Sequence, residues 1–138
     1  MREIWKQLQF MFAGVGAWLG WFLGGLDGLI YALVAFVTID YVTGVMRAFL
    51  QKELSSEVGA RGIFKKVLVF TLVGIGHTID EYILSGGSAV RTAVIFFYLS
   101  NEGLSILENV VVIGLPIPDK LKAVLEQLRS DGDKNEPE

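Results

Sequence analysis

Between Phe10 and Leu115 the chain builds one long apolar run after another, and its basic residues gather on alternate connections between them. Phe10 to Leu26 (FMFAGVGAWLGWFLGGL) carries no charge. After Asp27 the chain is apolar to Ile39, meets Asp40, and stays mostly apolar to Met46. A third run lies between Val67 and Leu84 and a fourth between Ala93 and Leu115. A helix rising about 1.5 Å per residue needs roughly 20 residues to cross about 30 Å of hydrocarbon. The pattern predicts an all-α integral membrane protein of one domain, with four transmembrane helices at about 7–26, 28–48, 64–84 and 92–114. Its 52% hydrophobic residues and mean hydropathy of +0.51 exceed what a soluble chain of this length hides in a core. A soluble bundle is disfavoured further because the first run is apolar all round, not along one stripe.

Orientation follows from Lys and Arg. Arg2 and Lys6 precede the first span, and Arg47, Lys52, Arg61, Lys65 and Lys66 surround the connection between the second and third. Lys120, Lys122, Arg129 and Lys134 follow the fourth, so eleven of the 12 basic residues fall on one side and only Arg91 on the other. The positive-inside rule then places both termini and the central loop in the cytoplasm. A three-span arrangement, with 7–46 as one tilted or re-entrant element, puts the N-terminal basic pair on the wrong side. Gly24-Gly25-Leu26-Asp27-Gly28 is a credible tight turn and favours four. The basic start and apolar run mimic a signal peptide, but the run is bulky, contains Trp and lacks a small-residue cleavage site, so an uncleaved span is expected.

The central stretch Leu50 to Gly62 reads as an ordinary solvated turn. After the fourth span, Gly114-Leu115-Pro116-Ile117-Pro118 stops the helix. Residues 119–129 then predict a short amphipathic cytoplasmic helix, with Leu121, Val124, Leu125 and Leu128 at i, i+3, i+4 and i+7, able to lie on the inner leaflet or pack on a neighbouring subunit. Residues 130–138 carry no apolar side chain and are expected to be disordered.

Two sets of residues stand out inside the spans. Gly16, Gly20, Gly24 and Gly28 recur every fourth residue, a stripe that lets a second helix backbone approach, within the same bundle or between subunits. On the fourth span Asn101, Glu102, Ser105, Glu108 and Asn109 occupy an arc of roughly 120°. An acidic residue at mid-bilayer costs about 2.5–3.5 kcal/mol on insertion scales, so these carboxylates require water, protonation or partners. One reading makes the face a water-filled pathway or a polar contact between subunits; the other closes it by hydrogen bonds inside one bundle. Asp40 in the second span has the same need, which Thr43 and a basic residue near the central loop are placed to meet. His77 is expected to be a packing residue, and Asp80 and Glu81 interfacial.

A net charge of −3 gives no case for nucleic acid, and the lack of Cys excludes disulfides and thiolate metal sites. There is no Walker loop, HExxH, nucleophile elbow or Cys/His metal spacing, so neither an enzyme nor a cofactor or metal is expected.

The order Asp40-Tyr41-Val42-Thr43-Gly44, Ser55-Ser56, Gly62-Ile63-Phe64-Lys65-Lys66, Asn101 to Asn109 (NEGLSILEN) and Gly114 to Pro118 resembles the bacteriophage holin family that includes the clostridial toxin-secretion holins. The likeness covers about 30–125. It implies a small phage or prophage protein of the bacterial inner membrane that forms homo-oligomers and opens lesions releasing an endolysin, or a toxin in some relatives. A rival reading is a four-span proton- or cation-coupled exporter using Asp40, Glu102 and Glu108; a third is an antiholin that co-assembles with a holin.

Overall fold

The structure is a computed structural model and describes residues 1–133. Five helices follow one another: α1 (Arg2–Phe22), α2 (Gly28–Leu50), α3 (Ser56–Thr78), α4 (Ala89–Ile113) and α5 (Asp119–Asp133), with a π-helical turn, Ile79–Ile83, closing α3. The all-α expectation holds.

Local chemistry fixes the boundaries. Gly24 (φ +82°) and Gly25 (φ +106°) take left-handed conformations that end α1, and Asp27 caps α2 by accepting from the Ile30 amide at 3.0 Å. Ser55 caps α3 in the same way, accepting from the Val58 amide at 3.1 Å. That cap starts α3 eight residues before the expected span at 64 and shortens the central connection to residues 51–55. Gly114 ends α4 in a left-handed conformation (φ +119°), and Pro116 and Pro118 keep the following segment from continuing the helix.

The core lies among α2, α3 and α4. Ile30, Leu33 and Val37 recur along one side of α2 and meet Val69 and Val73 of α3 and Ile95 and Leu99 of α4. α1 contributes little: none of its residues is buried, and Trp5, Phe10, Phe12, Trp18 and Trp21 all stand exposed. It joins the bundle at its end, where Phe22 lies over Gly74 so closely that a Cβ there would fall 2.0 Å from the ring. Trp18 stacks on Phe22 at a centroid distance of 5.6 Å.

Two expectations need correction. The glycine stripe does not exist as one helix face, because α1 ends at Phe22; Gly24 belongs to the turn and Gly28 opens α2. Gly16 and Gly28 have nothing near their missing side chains, and Gly20 meets only Leu26. The glycines that permit close packing are others: Gly62 against the Tyr41 ring, Gly74 against Phe22, Gly76 against the Arg91 backbone and Gly103 against Leu125. Second, α5 neither stops at 129 nor lies apart from the spans. It runs to Asp133, so residues 130–133 of the expected disordered tail are helical, while 134–138 lie outside the described residues. It packs on α4 of its own chain, with Leu125 buried over Gly103. Of the four expected spans, α2 is the one helix among the described residues that is by length and composition clearly apolar enough to cross a membrane. Trp, Gly and Gln dilute α1, Arg61, Lys65 and Lys66 dilute α3, and Glu102, Glu108 and two Asn dilute α4.

Candidate functional site

The polar residues singled out on α2 and α4 converge, and a residue from α3 joins them. Lys66 Nζ lies between Asp40 and Glu102, donating to Asp40 Oδ2 and, at 2.5 Å, to Glu102 Oε2. The three side chains are 19%, 9% and 10% exposed, so the contact between one ammonium and two carboxylates is largely shielded from solvent. Asn109 extends the set toward the end of α4. Its amide donates to Asp40 Oδ1 at 3.2 Å and to Thr43 Oγ1 at 3.0 Å. Arg47 donates to Asn109 Oδ1 at 3.4 Å and reaches Glu108 at 3.5 Å. No fully buried side-chain nitrogen or oxygen among the described residues lacks a partner.

Helical geometry divides the predicted face in two. Glu102 and Asn109, seven residues apart, form the inner edge and are buried against α2 and α3. Asn101 and Glu108, also seven apart, form the outer edge; Asn101 is half-buried and Glu108 exposed. Ser105 lies between, half-buried. The inner edge is thus closed within one chain, and the Asp40 carboxylate is met by a basic residue and by Asn109, whereas the Thr43 hydroxyl donates to the backbone carbonyls of Ile39 and Asp40. The basic residue is Lys66, the last of the two adjacent lysines; Lys65 beside it is exposed. Nothing in the sequence separates the two except that Lys66 lies three and seven residues before the core positions Val69 and Val73.

A second polar set ties the opposite end. Arg91 is 3% exposed. Its Nε donates to the Leu23 carbonyl at 2.6 Å, Nη1 to Asp27 Oδ2 at 2.8 Å, and Nη2 to the Gly25 carbonyl at 3.1 Å. The guanidinium therefore holds the α1–α2 turn to the start of α4, and its hydrogen bond keeps the Asp27 carboxyl below its ordinary value of 3.8, against a smaller opposing effect of burial. Asp80, 1% exposed in the π-helical turn, accepts from the Val90 and Arg91 amides at 3.0 and 2.9 Å and so caps α4 from outside it. Asp80 is structural and buried, not simply interfacial; Glu81 is exposed. His77 is half-buried and packs against Gly24. Reading charge by loop placement missed this set because it treated Arg91 as an isolated exception, although it shares its end of the bundle with Asp27 and Asp80. Among the described residues no three His, Asp or Glu are grouped to hold a metal ion.

Residues 17–130 match the bacteriophage holin family, from the latter part of α1 through most of α5 and across both polar sets. The chain belongs to the bacteriophage holin family. A probable holin of Bacillus phage phi105 is 38% identical over 96 residues, 70% of each chain. An uncharacterised 14.9 kDa protein of Clostridium perfringens is 37% identical over 130 residues, covering 94% of this chain and 98% of its own. An uncharacterised protein of Listeria monocytogenes is 44% identical over 118 residues, 86% of this chain and 84% of its own. No solved structure matches this holin-family chain.

Proposed function

We propose that the protein acts as a phage or prophage holin: it inserts in the bacterial inner membrane, forms homo-oligomers and opens lesions through which an endolysin, or in toxin-secreting relatives a toxin, leaves the cell. The observation that carries the membrane part of this reading is α1, which buries none of its residues and exposes large apolar side chains on all sides. Water is a poor solvent for such a helix and hydrocarbon a good one. In this reading α1, α2, α3 with its π-helical turn, and α4 each cross the bilayer, with both termini cytoplasmic, as the basic residues favour.

The polar sets take separate roles. Lys66 with Asp40 and Glu102 is a clasp that keeps α2, α3 and α4 together; Glu108 and Asn101, on the outer edge, are the part of the polar face a neighbouring subunit can reach. Family membership supports pore formation over transport, and the pairing of Asp40 and Glu102 with Lys66 leaves those carboxylates less suited to the cation-binding role an exporter needs. No residue is assigned a catalytic part.

The test is induced expression in cells with and without an endolysin, followed by culture turbidity and uptake of a membrane-impermeant dye. A holin admits dye and lyses only the culture that also makes endolysin. Growth without dye uptake, together with tolerance of a toxic cation, would replace this reading with the exporter; delayed lysis by a co-expressed holin would replace it with the antiholin.

A further inference from the structure

α5 docks at a depth where the polar side of its outer surface has only one compatible surrounding. The helix turns back from Pro118 and packs along α4, and its buried contact is Leu125, seated over Gly103 beside Phe36 of α2. Gly103 precedes Gly114 by eleven residues, about 16 Å along α4. If Gly114 marks the cytoplasmic edge, Leu125 lies near the middle of the bilayer. The side of α5 opposite Leu125 carries Lys120, Ala123, Gln127 and Ser130, with Glu126 on its flank, all exposed. Charged and amide groups at that depth are expelled by hydrocarbon and tolerated against water. The polar residues of the clasp cannot supply a water-facing surface, since Asp40, Lys66, Glu102 and Asn109 face one another.

We propose that docked α5 forms the wall of the aqueous lesion, its outer face turned to the water that passes through. The inference rests on the holin reading above and names the surface which that reading leaves open. α5 also has a second berth. Leu121 and Val124 on one edge are 46% and 49% exposed, an apolar strip suited to the inner leaflet when α5 is undocked. The start of α5 is not closely packed on α4: a groove of about 300 Å³, lined by Leu104, Leu107, Glu108, Val111 and Ile117 with Lys122 of α5, lies between them. Undocked on the leaflet, α5 keeps the C-terminus cytoplasmic and leaves the membrane sealed; seated on Gly103, it carries its C-terminal end past the bilayer midplane and lines the opening.

The chain contains no Cys, so a single pair can report the seat. Gly103→Cys with Leu125→Cys is oxidised in intact cells before and after the onset of dye uptake, and intramolecular crosslinking is read from gel mobility. Crosslinking should rise as dye uptake begins. Gly103→Leu, which fills the seat, should reach the membrane in unchanged amount and lose dye uptake. Dye uptake by the Cys pair with no crosslink, crosslinking complete while cells are still tight, or full dye uptake by Gly103→Leu each overturns the wall assignment and leaves the holin reading intact. Absence of dye uptake by the unaltered chain overturns the holin reading itself, and the wall with it.

Discussion

Replacing Lys66 by Met isolates the clasp. The two side chains are similar in length, so packing changes little, but Asp40 and Glu102 lose the one ammonium between them. Both carboxylates are about nine-tenths buried, at 9% and 10% exposure, and neither can recover its partner from water. Removing one member of a buried pair costs about 3–5 kcal/mol, because the other charge is left uncompensated. Two carboxylates then share one buried site, and a proton taken up between them limits their repulsion, which places Lys66→Met within that range. A domain stable by about 5–15 kcal/mol loses a fifth or more of its margin. The adjacent Lys65→Met, at an exposed position, should stay within about 0.5 kcal/mol of the parent. Adding Asp40→Asn and Glu102→Gln to Lys66→Met removes the stranded charges and should restore most of the loss, since neutral replacements of a buried ionic set are often tolerated. Circular dichroism of the purified chain in detergent, followed through thermal unfolding, measures all of these. Equal melting of Lys66→Met and Lys65→Met, or a triple variant no better than the single, would refute the clasp.

Gly74→Ala should destabilise the chain by about 1–3 kcal/mol, because the new methyl meets the Phe22 ring, whereas Gly16→Ala, with open space around it, should be neutral or stabilise by up to about 1 kcal/mol through helix propensity. Thermal melts with opposite signs at the two positions are the expected result, and matching signs would restore Gly16 to a packing role within the chain. Asp27 has a folded-state pKa below its unfolded value of 3.8, so its contribution is full above that value and disappears as pH falls through the lower, folded one. Asp27→Asn should therefore melt below the parent at neutral pH and converge with it in strong acid; an equal gap at both pH values would show that the Arg91 contact does not depend on charge.

The helical architecture was legible because long apolar runs, capping Asp and Ser, and Gly-Pro punctuation all act locally. The partners were not, because helix-to-helix register is set by side chains far apart in sequence. Periodicity placed Glu102 and Asn109 on one face of α4 without saying whether α3 presented Lys65 or Lys66 to it. The glycine spacing misled for the opposite reason. A four-residue period is meaningful only while one helix continues, and the left-handed Gly24-Gly25 turn interrupts it. At the other end of the bundle, Asp80 reaches α4 only because a π-helical turn re-aims it, a local departure from the α-helical period that no count of residues anticipates.

The distribution of these contacts decides which parts of the chain can rearrange. α2, α3 and α4 share an apolar core and the Lys66 clasp, and separating them strands buried charge at about 3–5 kcal/mol before any apolar loss is counted. Among the described side chains of α5 only Leu125 is buried, and lipid is as apolar as the surface it meets, so the inner leaflet can compete for α5 through Leu121 and Val124. α1 meets the rest only through Phe22, Leu23 and the turn that Arg91 grips, so most of its length is free to change neighbours while its end stays anchored. A sealed membrane and an open lesion can therefore differ in where α1 and α5 lie while the three central helices keep one arrangement. The Lys66 variants separate this from a mechanism in which the clasp itself opens. If lesions require α2, α3 and α4 to part, weakening the clasp without abolishing insertion should bring dye uptake forward; if the three move as a unit, it should lower stability and leave the onset of dye uptake where it was.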